Sequence, residues 1–166
     1  MKSQAFPATL VIHVSLAGCA TNYEPAPPEF TGPSATIRDS GISERLSKAQ
    51  MFAVMEIDGE STMNAFRASA GASFGMGAAL QTIYPERKVK LVPMKIKLRG
   101  SHATAAGFHA LFSQMAGTFQ SVEGVVDFEP KADVIYIVNG KLTPEKSSVW
   151  IEDGATGEPV TAIISK

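Results

Sequence analysis

From residue 34 onward the apolar side chains recur mostly at every second position, in short runs separated by Gly, Pro, Asn and Asp. Period two places successive side chains on opposite faces of a strand, and the turn residues between runs mark where strands end. The pattern predicts strands over Ala35 to Arg38, Met51 to Asp58, Val89 to Arg99 with a break at Pro93, Ala105 to Ser113, Phe119 to Phe128, Val134 to Asn139, Ser148 to Glu152 and Val160 to Ile164. A succession of this kind predicts an all-β fold, an antiparallel β-sandwich of about seven or eight strands with one long loop or short helical insertion.

Two runs carry more than a strand assignment. Met94 to Arg99 alternates strictly, so Met94, Ile96 and Leu98 are expected in the core with Lys95, Lys97 and Arg99 toward water. Lys88 and Lys90 have the opposite parity, and a bulge at Pro93 would bring Lys88, Lys90, Lys95, Lys97 and Arg99 onto one face. Such a stripe suits an anionic envelope polymer or lipid headgroup; it equally suits an edge strand whose lysines block unwanted pairing. Val134 to Val138 is apolar on both faces, which predicts a central strand with its outer face covered. The segment Gly59 to Pro85 is the expected cover, because a structureless loop of that length is uncommon inside a domain. A helix over Ala68 to Ala79 is expected to be weak, since Gly71, Gly75 and Gly77 interrupt it. These glycines do not make a phosphate loop, because no Gly-Lys-Ser/Thr follows them. The same segment also admits a mobile flap or a partner-binding loop.

The amino terminus follows a different pattern. Lys2 precedes an apolar stretch, Ala8 to Leu16, that is too short to span a bilayer and carries His13 within it. It ends in Leu16-Ala17-Gly18-Cys19, which resembles the lipobox of bacterial lipoproteins. The resemblance implies a signal peptide over residues 1–18, cleavage between Gly18 and Cys19, and lipidation of Cys19 as the membrane anchor. Ala20 stands where an Asp would favour inner-membrane retention. The implied address is therefore the outer membrane facing the periplasm, if the source is Gram-negative. Residues 19–33 follow with Pro25, Pro27, Pro28 and Pro33, so neither helix nor strand is expected there. This stretch reads as a tether with an extended reach on the order of 40 Å, joined to a β-sandwich domain over residues 34–166.

Composition narrows the functional classes. The chain is 45% hydrophobic and 19% charged with a formal net charge of −1, which suits one packed domain and offers nothing to nucleic acid. Its one cysteine rules out an intrachain disulfide. From Gly124 onward the runs and turn residues predict a strand meander in which a Tyr-containing strand precedes Trp150-Ile151-Glu152-Asp153 and a Thr156-Gly157 turn. This ending resembles small bacterial envelope lipoproteins with a β-sandwich domain and no assigned activity. Trp150 and Tyr136 are expected as core anchors rather than a sugar-stacking platform. Asp153-Gly154 reads as a turn rather than part of a cation site. His102 and His109 are the only histidines after the apolar stretch, and no nucleophile elbow or Cys/His cluster accompanies them. The expectation is therefore a non-catalytic binding or accessory module without metal or cofactor, held at the membrane by lipid. Its partner would be an envelope protein or a cell-wall polymer. The alternative is a structural subunit of an envelope complex in which Gly59 to Pro85 orders on assembly; an enzyme or a His102/His109 metal protein ranks behind both.

Overall fold

A computed structural model of the chain describes residues 22–105 and 119–166. In chain order the elements are β1 (Ser34–Arg38), β2 (Ser40–Arg45), β3 (Lys48–Ile57), β4 (Glu60–Ser61), α1 (Ala65–Ala72), β5 (Glu86–Lys90), β6 (Met94–Thr104), β7 (Ser121–Phe128), β8 (Ile135–Leu142), β9 (Ser147–Asp153) and β10 (Ile164–Ser165). They form two sheets packed as an all-β sandwich. Sheet I has the order β10-β9-β8-β1-β5, and sheet II has β2-β3-β6-β7 with β4 paired to β3. All pairings are antiparallel except β1 with β8, where Thr36 faces Ile135 and Arg38 faces Ile137.

Alternation fills the space between the sheets. Ile37, Val89, Tyr136, Val138, Val149 and Ile151 point inward from sheet I and meet Phe52, Val54, Ile96, Leu98, Val122 and Phe128 from sheet II. The rings of Phe128 and Tyr136 meet edge to face with centroids 4.9 Å apart, and the Tyr136 hydroxyl accepts from Lys131 N–H at 3.0 Å. Tyr136 is thus a core anchor, as expected of it. Gly140 lies in the inward row of β8, and a Cβ there would overlap the Phe52 ring and the Ser148 carbonyl oxygen. Phe52 takes the space that a side chain at 140 would need.

The chain passes between the sheets at Asp39, which separates β1 in sheet I from β2 in sheet II. Its side chain is fully buried. Oδ1 accepts from Val54 N–H at 3.1 Å and from Arg87 Nη1 at 2.9 Å, and Oδ2 accepts from Ala65 N–H at 2.8 Å. Arg87 also donates to the Met63 carbonyl at 3.0 Å. Removal from water pushes the Asp39 carboxyl above the ordinary carboxylate range, while the Arg87 charge and the donated hydrogen bonds pull against that rise.

Several expectations change. β2 has little apolar alternation and was not expected. The stretch from Val89 to Arg99 is two strands rather than one with a bulge: β5 ends at Lys90, the chain turns through Leu91 to Pro93, and β6 begins in the other sheet. The helix starts earlier than the glycine spacing suggests, because Asn64 caps it by accepting from Arg67 N–H at 3.2 Å. Gly75 and Gly77, with φ of 81° and 66°, turn the chain back after it. The Ser69 hydroxyl then accepts from Ile83 N–H at 2.8 Å and the Ser73 hydroxyl from Gln81 N–H at 2.9 Å.

The segment Gly59 to Pro85 is a cover, but over β3 rather than Val134 to Val138. Ala65, Phe66, Leu80 and Tyr84 pack on Ala49, Met51 and Ala53, the outward row of β3. β3 is the strand buried on both faces, whereas Ile135 of β8 is 48% exposed. Near the carboxyl terminus only Ile164–Ser165 pairs as a strand, with Pro159 bridging to Glu152. Most of the strand expected over Ala105 to Ser113 lies outside the described residues.

Residues 22–33 form neither helix nor strand, yet they are docked rather than extended. Tyr23 N–H donates to the Ser61 carbonyl at 2.9 Å, Arg67 Nη1 donates to Asn22 Oδ1 at 2.8 Å, and Pro25 is buried. Among the described residues, those from Asn22 to Pro33 are therefore packed on the domain.

Asp39→Ala is expected to destabilise the domain by about 3–5 kcal/mol, because it leaves the Arg87 charge and two amide donors buried without their acceptor. Adding Arg87→Met should recover part of that loss. Urea unfolding followed by circular dichroism measures both, and equal stability of Asp39→Ala and the unaltered chain would refute the assignment.

Candidate functional site

The five predicted cations separate between the two sheets. Lys95, Lys97 and Arg99 lie on the outer face of sheet II, on a central strand paired with β3 and β7. Lys88 and Lys90 lie on the outer face of β5, the edge of sheet I. They do not form one stripe, because the turn at Pro93 changes sheet instead of inserting a residue into one strand. The three on sheet II meet acids on the neighbouring strands. Lys95 reaches Asp127 at 2.7 Å, Lys97 reaches Glu56 at 3.0 Å and Glu123 at 3.2 Å, and Arg99 approaches Glu123 at 3.8 Å. The hydrogen bond from Lys95 to Asp127, and those from Lys97 to Glu56 and Glu123, raise the pKa values of both lysines. The Arg99 guanidinium also lies 5.3 Å from the centre of the Phe66 ring. Cross-strand pairing of this kind leaves sheet II with little net attraction for an anionic polymer.

His102 is buried at the end of β6. Nδ1 lies 3.1 Å from Gln120 N and 3.3 Å from the Gln120 carbonyl oxygen, and Nε2 lies 3.1 Å from Glu44 Oε1. Both ring nitrogens are thus engaged within the fold. His109, the other half of that candidate pair, lies outside the described residues, as do Gly18 and Cys19. Glu44 also accepts from Gln50 Nε2 at 2.8 Å and lies 3.3 Å from Lys48 Nζ. Partial burial opposes its charged form, but the Gln50 hydrogen bond, the His102 ring and the Lys48 charge outweigh it and hold the carboxyl below its usual range.

The outer face of sheet I is arranged differently. Along β9, Val149 and Ile151 enter the core, so Ser148, Trp150 and Glu152 face outward. Trp150 is therefore not the core anchor expected of it. The signal was present in the parity of Ser148-Val149-Trp150-Ile151-Glu152, where the two aliphatic residues claim the inner row. Asn139 of β8 stands directly opposite Trp150. Glu152 joins them: Oε1 accepts from Asn139 Nδ2 at 2.8 Å and Oε2 from Trp150 Nε1 at 2.9 Å. The indole is half-buried and its N–H is held by a carboxylate, so it is fixed in orientation.

Across the same face, Ile137 pairs with Glu152 and Ile135 with Thr36, which gives an aliphatic floor. Arg38 follows, held by Glu86 at 2.8 Å, and Lys88 stands opposite Thr36 at the β5 edge. A shallow depression beside this floor is lined by Arg38, Ile135, Ile137, Asp153 and Ala155. At the far corner Lys90 Nζ lies 5.4 Å from the centre of the Phe30 ring, contributed by the docked amino-terminal segment. An ordered indole, an amide, a carboxylate, two isoleucines and a cationic edge can stack, exchange hydrogen bonds and pair with an anion. That is the chemistry of recognition on a flat surface.

The lowered Glu44 pKa has a defined pH consequence. Its contribution is fully present above the unfolded carboxylate range, near pH 4.3, and is lost as pH falls through the lower folded value. The unaltered chain is expected to exceed Glu44→Gln in stability by about 1 kcal/mol at neutral pH, with the gap closing at acidic pH. Thermal melts of both chains between pH 7 and pH 3 measure this, and a gap that widens on acidification would contradict it. Comparison of the chain with family models, with curated proteins and with solved structures finds no match, and the functional reading rests on the chemistry of this face.

Proposed function

We propose that the chain is a lipid-anchored, non-catalytic binding module of the bacterial cell envelope that presents the outer face of sheet I to an envelope protein or cell-wall polymer. The observation that carries this reading is the difference between the two faces. α1 and its return segment cover β3 of sheet II, and the cations of β6 are paired with acids, whereas among the described residues nothing covers β8 and β9 of sheet I, which holds the only tryptophan of the chain, fixed by Glu152 and flanked by Asn139 and Ile137. Aromatic residues held on an open surface are favoured as binding anchors because they lose little side-chain freedom when a partner arrives. Among the described residues no helix is long and apolar enough to cross a membrane. Attachment is assigned to Cys19 on its Leu-Ala-Gly-Cys setting, and diacylglyceryl modification of that thiol would supply the anchor. The alternative of a subunit whose Gly59 to Pro85 segment orders on assembly has less to motivate it, because that segment is already bonded to α1 and packed on β3 within one chain.

Expressed in a Gram-negative host, the unaltered chain is expected in the membrane fraction, and Cys19→Ser in the soluble periplasmic fraction or unprocessed. A Cys19→Ser chain that is processed and still floats with membranes would remove the anchor reading. The single tryptophan makes the binding face directly observable. Soluble peptidoglycan fragments or a purified envelope partner should shift Trp150 emission, and Trp150→Ala should weaken sedimentation with sacculi, or capture of that partner, by about tenfold or more. An unaffected affinity would place binding elsewhere.

A further inference from the structure

We propose that the solvent face of α1 and the glycine turn after it form a second, non-covalent membrane contact, seated at the headgroup–acyl boundary of the bilayer that holds the anchor. This rests on the proposed lipidation of Cys19. Phe74 is 91% exposed and Met76 51% exposed on the turn that Gly75 and Gly77 make. Large apolar side chains so fully in water are normally accounted for by a partner when they occur together. From Thr62 to Tyr84 the chain contains no Asp or Glu, and its only charge is Arg67. A segment with apolar tips, a single cation and no acid suits a lipid interface, where Arg can extend its charge to the headgroups and carry its stem with the apolar part.

The amino-terminal segment says where the bilayer lies. Arg67 projects from the solvent face of α1 and donates to Asn22 Oδ1, so the first described residue of the chain lies at that face. Asn22 is separated from Cys19 by three residue steps, which span at most about 11 Å. Phe74 lies two residues past the end of α1, in the turn where its N–H donates to the Gly71 carbonyl at 3.2 Å. An anchor on so short a lead holds that side against the membrane and leaves Phe74 and Met76 within reach of the interface. Because α1 lies outside sheet II, this seating directs the open face of sheet I away from the lipid. The docked segment acts as a spacer of fixed orientation, in place of a long free tether.

The test uses the full lipidated chain, extracted from membranes and reconstituted into phosphatidylethanolamine–phosphatidylglycerol vesicles containing phospholipid brominated along its acyl chains. One chain carries Phe74→Trp with Trp150→Phe, so that its only indole is at position 74; the other is unaltered and reports from sheet I. Flotation is measured first, then quenching. The expected result is that both chains float, with strong bromine quenching and blue-shifted emission from position 74 and little quenching of Trp150. Should Trp150→Phe unfold the domain, Phe74→Trp alone gives the same reading from the added, quenchable emission. Flotation with an indole at position 74 no more quenched than Trp150 overturns the seating and leaves the anchor standing. Failure to float overturns both.

Discussion

The fold depends on keeping one carboxylate away from water. Asp39 sits where the chain crosses between the sheets, and its two oxygens collect an amide of β3, the first amide of α1 and the guanidinium of β5. β4 separates β3 from α1 in the chain, and β5 lies in the other sheet, so the carboxylate joins parts that hairpin geometry alone would not join. Burial works against its charge, and the arrangement holds only because every lone pair in use meets a donor. Arg87 belongs to the same unit, since its second bond to the Met63 carbonyl fixes the entry to α1. A free hinge between the sheets is thereby replaced by a defined crossing.

That crossing accounts for the unequal faces of the sandwich. With the amino-terminal end of α1 held at Asp39, the helix and its return segment lie over the outward row of β3, and sheet II is covered where it would otherwise show Ala49, Met51 and Ala53. Its remaining outward cations meet Glu56, Glu123 and Asp127. Nothing comparable lies over β8 and β9 among the described residues, and the Trp150, Asn139 and Glu152 group stands on the open side. The same asymmetry gives the proposed membrane seating its meaning, for the covered side is the one from which residue 22 leads back to Cys19.

Much of the sandwich was legible in the residues. Period-two alternation located most of the strands and the inward set of β6, and the aromatic character of Tyr136 pointed to the core. β2 was not legible, because Ser40 to Arg45 offers only Ile42 as a large apolar residue and its pairing comes entirely from β3, its one neighbour at the sheet edge. The proposed binding face was partly legible. The size of Trp150 points to the core while its parity points outward, and the partnership with Asn139 depends on β8 and β9 being neighbours in that register. The cover over β3 was legible as an element and not as a destination. Met51, Phe52, Ala53 and Val54 are as apolar on both faces as Val134 to Val138, and local pattern does not choose between two such strands.

By itself the sequence determined the class of fold, the alternation that supplies the core, the absence of any intrachain disulfide, and the lipobox-like setting of Cys19. Tertiary structure alone decided which sheet each strand joined. The lysines around Pro93 show why. A bulge within one strand and a turn between two strands both reverse parity, so they read alike along the chain, yet the first gathers five cations and the second divides them. Alternation records which face a side chain takes; it does not record the neighbouring strand, because pairing is settled by hydrogen bonds and packing between residues far apart in the chain.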